Sequence, residues 1–112
     1  MTSSSTARVA TTRPGRYAKA LVEHFSDSSD ASWDPDEGRG YVRFGEKLGG
    51  GECEMIAGDA VLLLQIETNA DNVADLEDAI GRRIVRTGGE EPIVCAWKRP
   101  GGKAGTRYVP ND

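Results

Sequence analysis

The sequence predicts an α+β fold: a two-layer sandwich, with two helices on one face of a mainly antiparallel sheet of about five strands. Three observations lead there. Two segments repeat apolar residues every three or four positions, the spacing of a helix with one buried stripe. Several others alternate apolar with polar residues, the spacing of half-buried strands. The segments follow the order β-α-β-β-β-α-β, with no internal repeat.

Ala7 to Thr11 reads as the first strand. Thr12-Arg13-Pro14 then offers a hydroxyl cap and a first-turn proline, so a helix should start there and run to Phe25. Tyr17, Leu21 and Phe25 form its apolar stripe, widened by Ala18 and Val22. Ser26 to Gly38 is polar and reads as a loop, with Trp33 as an anchor packed on the domain edge. Arg39 to Phe44, Glu52 to Ala57 and Ala60 to Thr68 alternate as strands. Gly49-Gly50-Gly51 and Gly58-Asp59 supply the intervening turns, the second using the positive φ that glycine tolerates.

A second helix should begin near Asp71, bury Val73, Leu76, Ile80 and Ile84, and end at Gly88-Gly89. Asp75, Glu77 and Asp78 crowd its first half and Arg82, Arg83 and Arg86 its last, which complements the helix dipole. Asp78 can pair with Arg82 across one turn. Gly81, inside the helix, costs roughly 1 kcal/mol against Ala and marks close packing. Pro92 to Lys98 is the last strand, with Ile93, Cys95 and Trp97 on one face.

The 112 residues suit one domain. Residues 1–6, mostly Ser and Thr, read as a disordered N-terminus, and 99–112, with three glycines and two prolines, as a flexible tail. That leaves 7–98 as the folded unit. The net charge of −4 argues against nonspecific binding to DNA or an acidic membrane, and Arg99, Lys103 and Arg107 read as solvated linker. No apolar run has the length of a signal peptide or a membrane span, so the expected location is cytoplasmic. Cys53 and Cys95 should then be reduced, buried and inert.

Each chemically capable group lacks a second member. His24 is the single histidine; a general base or metal ligand is one reading, and a helix-end histidine bonded to nearby backbone or carboxylate the favoured one. Cys53 and Cys95 could join it as ligands if their strands were neighbours, but they lack the short paired spacing of structural zinc sites. Asp27, Asp30, Asp34, Asp36 and Glu37 do not match the 12-residue calcium loop. Gly38-Arg39-Gly40 and Gly49-Gly50-Gly51 stand beside strands, not ahead of a helix where a phosphate would sit. No metal and no cofactor is therefore expected. The outer sheet face is more informative. With Val42, Phe44, Leu62, Leu64 and Ile66 turned to the helices, Tyr41, Ile56, Val61 and Leu63 point away, which suggests a dimer interface or a ligand surface.

The segment from Thr11 to Phe25, the run Gly38 to Phe44, the Leu62-to-Glu67 strand, Asn72 to Gly81 and the closing Val94-Cys95-Ala96-Trp97 together resemble the bacterial DUF2218 family, over roughly residues 7–98. The resemblance implies a small α+β domain with no assigned activity. It also implies an association with siderophore-interacting flavoproteins, hence iron handling. Family members often continue the first helix as His-Lys, where this chain has Ser26 and Asp27; many carry a second-helix histidine where Arg82 or Arg83 stands here. The function expected is a non-enzymatic accessory or binding domain that pairs as a homodimer or takes another protein or small molecule. The alternative is a small enzyme or metal-binding protein using His24, helped by Tyr17, Trp33 or a loop carboxylate. A nucleic-acid binder resting on Arg82, Arg83 and Arg86 is disfavoured by the net acidity.

Overall fold

In the computed structural model the described residues are 2–27, 29–45, 50–87 and 91–109. The turn expected at Gly49 and the helix end expected at Gly88-Gly89 lie partly or wholly outside them, as do Met1 and 110–112. The elements are β1 (Thr2–Ala10), α1 (Pro14–Phe25), β2 (Asp30–Asp34), β3 (Arg39–Arg43), β4 (Glu52–Ala57), β5 (Val61–Asn69), α2 (Val73–Thr87), β6 (Cys95–Arg99) and β7 (Lys103–Tyr108). The strands form one antiparallel sheet in the order β2-β3-β4-β5-β1-β6-β7. The α+β architecture is therefore as expected, with seven strands among the described residues rather than about five.

Both additional strands come from segments expected to be irregular. Ser26 to Gly38 contains β2, because Ala31 and Trp33 alternate with exposed Asp30, Ser32 and Asp34 and pack on the core. The tail contains β7, reached through a short helical turn at Pro100–Gly102. The N-terminus is not disordered either: β1 begins at Thr2 and pairs with β5 along its whole length, Thr2 opposite Asn69 and Ala10 opposite Val61. Ser and Thr serve there because Ser5 is buried with its hydroxyl engaged, while its neighbours turn outward.

The helices cover the inner face side by side, α1 over β2 to β5 and α2 over β5, β1, β6 and β7. Between the layers lie Val9, Leu21, Val42, Met55, Leu62, Leu64, Ile66, Leu76, Ile80, Ile84 and Trp97, all essentially without solvent contact. Phe25 meets Phe44 edge to face at 5.3 Å. Deleting one such aliphatic side chain to Ala costs about 2–5 kcal/mol in comparable cores.

Local chemistry departs from expectation at three points. Thr12 does not cap α1: the Thr11 hydroxyl accepts from the Arg13 N–H, and Glu91 takes the Thr12 N–H. The β4–β5 turn places its positive φ on Ala60 (54°), not on Gly58, whose N–H donates to the Val61 carbonyl at 2.8 Å. Glu77 does not join Asp75 and Asp78 on the solvent side; it is fully buried. Among the described residues, no helix is long and apolar enough to cross a membrane.

Candidate functional site

The outer face of the sheet is covered by neither helix. Pairing sets its residues in rows. One row runs Asp34, Arg39, Ile56, Leu63, Arg8 across β2, β3, β4, β5 and β1. The next runs Ser32, Tyr41, Glu54, Gln65, Thr6, Lys98. Tyr41, Ile56, Val61 and Leu63 all lie on this side, each half-buried by its neighbours. Val61 stands at the end of β5 beside the turn; the other three border two adjoining hollows.

The first hollow, ≈ 330 Å³, is lined by Ser32, Asp34, Arg39, Tyr41, Glu54 and Ile56. The second, ≈ 270 Å³, is lined by Thr6, Arg8, Glu54, Ile56, Leu63 and Gln65. Ile56 and Glu54 form the ridge between them. The floor is apolar and the walls carry both signs of charge. Arg43 stacks over Tyr41, its guanidinium 5.6 Å from the ring centroid, and stands 3.9 Å from Glu52. This arrangement offers apolar contact framed by charge, which suits recognition.

Charge on the face is banded by strand. β2 presents Asp30 and Asp34, β3 Arg39 and Arg43, β4 Glu52 and Glu54, and β5 Glu67. Beyond the central strand the sign changes: β1 presents Arg8, β6 Lys98 and β7 Arg107, with no outward acid.

The other candidate residues are dispersed. His24 is exposed at the end of α1, its ring against Phe25 at 4.8 Å. Its pKa is pushed down by desolvation and by the Arg83 guanidinium, with Asp27 opposing. Tyr17, two turns earlier, donates its hydroxyl to Glu91 at 2.8 Å. Trp33 lies in β2 beside Gly15 and Gly40. None of the three lines either hollow of the outer face. Cys53 and Cys95 are buried and free, and β5 and β1 separate their strands. Burial raises both thiols, Cys95 to about 12, so neither is a ready nucleophile. Among the described residues, no group of three His, Cys, Asp or Glu side chains is placed to hold a metal ion.

Two carboxylates gather hydrogen bonds from distant segments, Glu77 in the interior and Glu91 at a half-exposed position. Glu91 accepts from the Thr11 hydroxyl at 2.9 Å, the Thr12 N–H at 3.0 Å and Tyr17. It binds the segment before β6 to the start of α1, where a negative charge suits the helix dipole. Glu77 accepts from Ser5 at 2.6 Å, from Arg99 Nη2 at 2.8 Å and Nε at 3.2 Å, and from the Thr106 hydroxyl at 3.1 Å. Burial alone would raise its pKa; the bonds from Arg99, Ser5 and Thr106, with the Arg99 charge, outweigh that and hold it below the usual carboxylate value. Both carboxylates are saturated by the fold, so they act as clasps. Glu77 was legible in principle: four residues after Val73 and three before Ile80, it stands in the apolar stripe of α2. Glu91 carries no comparable signal.

The described residues form a small α+β domain with one sheet face left uncovered by either helix and marked by two adjoining hollows. The sequence model of the DUF2218 family, described as an uncharacterised protein conserved in bacteria, matches residues 6–98. The chain belongs to that family. The fold is shared with PA4090 from Pseudomonas aeruginosa, solved by NMR: 23% identity, a TM-score of 0.66, and coverage of 90% of this chain and 98% of that one. No protein with a curated description matches.

Proposed function

We propose that the protein is a non-enzymatic binding domain that receives a protein partner on its outer sheet face, in a setting of iron or siderophore metabolism. The observation that supports this is the Tyr41–Ile56–Leu63 surface, half-buried yet uncovered by either helix, with hollows on both sides of Ile56. Partners bind where an apolar centre is framed by charge. The dispersed positions of His24, Tyr17 and Trp33 give the enzymatic alternative no comparable support. The setting comes from the family resemblance.

A photo-crosslinking amino acid at Ile56 or Leu63, in protein expressed in its native host with and without iron, tests the reading. Crosslinked species should form from both positions and not from Lys19 on α1, and should increase under iron limitation. Crosslinks from Lys19 alone would move the site to the helix layer.

A further inference from the structure

We propose that the occupant of the outer face is a second copy of this chain, packed face to face about a two-fold axis along β5. The inference rests on the binding reading above and adds the partner and its orientation. Its ground is the banding of charge. β5 is the central strand, with β4, β3 and β2 on one side and β1, β6 and β7 on the other. Rotation about β5 lays each strand over its counterpart at equal distance on the opposite side. β4, with Glu52 and Glu54, then faces the partner copy's β1 and its arginine. β2, with Asp30 and Asp34, faces the partner copy's β7 and its arginine. Leu63 lies on the axis against its own copy, with Ile56 beside it.

Two appositions are of like sign: β3 faces the partner copy's β6 and its lysine, and Glu67 of β5 faces its own copy across the axis. Arg43 meets the lysine already engaged with Glu52 and Tyr41. Every favourable contact off the axis occurs twice, as an isologous interface requires. The area is adequate. Seven strands about 4.8 Å apart and about 17–20 Å long span on the order of 600 Å² in projection. Side-chain relief brings that near the roughly 800 Å² per partner of a standard interface.

Sedimentation equilibrium of the full chain and of charge-swapped variants tests the arrangement. Arg8→Glu and Glu54→Arg each alter an exposed side chain, and circular dichroism checks that both stay folded. Each alone should weaken self-association about tenfold. An equimolar mixture of the two should recover wild-type affinity as a heterodimer, and Arg8→Glu/Glu54→Arg in one chain should recover it as a homodimer. A mixture that associates no better than either single variant overturns the two-fold arrangement. A wild-type chain that is strictly monomeric to about 1 mM overturns the second copy as occupant. Crosslinking from Ile56 to a different protein would still uphold the binding reading in that case.

Discussion

The two edges of the sheet are clamped to the helix layer by different physics. At the β2 edge the clamp is shape. Trp33 lies between Gly15, in the first turn of α1, and Gly40 on β3, where a Cβ would stand 2.9 Å from the indole. At the β7 edge the clamp is charge. Glu77 of α2 holds Arg99 and Thr106, and the Tyr108 hydroxyl donates to Asp78 at 3.1 Å while its ring lies on Gly81. A shape clamp is indifferent to pH; a charge clamp is conditional on ionisation. The β2 edge should therefore hold wherever the core holds, and the β7 edge only where Glu77 is charged.

The largest break in that comparison comes from removing the cation. Arg99→Leu leaves Glu77 buried without its countercharge and should cost roughly 3 kcal/mol in urea unfolding at pH 7. The acid limb carries the same signature. Because the folded pKa of Glu77 is lowered, its contribution is present above the unfolded carboxylate value of about 4.3 and is lost as pH falls through the folded pKa. Glu77→Gln should abolish that part of the acid-side loss. An unchanged slope below about pH 4.3 would show that Glu77 does not supply it.

Trp33→Ala should cost about 2 kcal/mol, less than for a fully buried indole because Trp33 is only half-buried. It should leave the acid limb untouched; an altered slope there would make the two clamps a single coupled unit. The smallest effect falls on Gly81. A methyl there enters the Tyr108 ring, yet Ala is the better helix former, so Gly81→Ala should lose only about 1 kcal/mol. In a Tyr108→Ala background the same change should be neutral or stabilising, which a double-mutant cycle reads directly.

The same contrast explains what could be read from the sequence. Both helices, the central strands and the division of β3, β4 and β5 into inner and outer faces follow local apolar periodicity. Local pattern sufficed for them, and so it placed Tyr41, Ile56, Val61 and Leu63 on the outer side. The edges were missed because their structure depends on distant partners. Nothing near Tyr108 shows that Gly81 will receive it, and nothing near Ser5 shows that Glu77 will accept its hydroxyl 72 residues away. The Ser-rich start and the Gly-rich end carry turn and coil composition, overridden by pairing with β5 and β6. The banding of charge was equally hidden, because it emerges only once β1 is known to lie between β5 and β6.

That position of β1 has a consequence for how the molecule is made. β1 precedes every other strand of this sheet in the chain yet lies in its interior, joining β5 to β6, with Thr6 opposite Lys98. On the ribosome β2 to β5 and α1 can assemble as a meander of neighbours, with β1 added along β5. The β6–β7 hairpin can join β1 only after residues 95–108 have emerged. Until then β1 is an open edge and Ser5, its hydroxyl awaiting Glu77 and the Lys98 carbonyl, faces no completed sheet. Closure is therefore the late, long-range step of folding, and the nascent chain is most exposed to misassociation along β1 just before it.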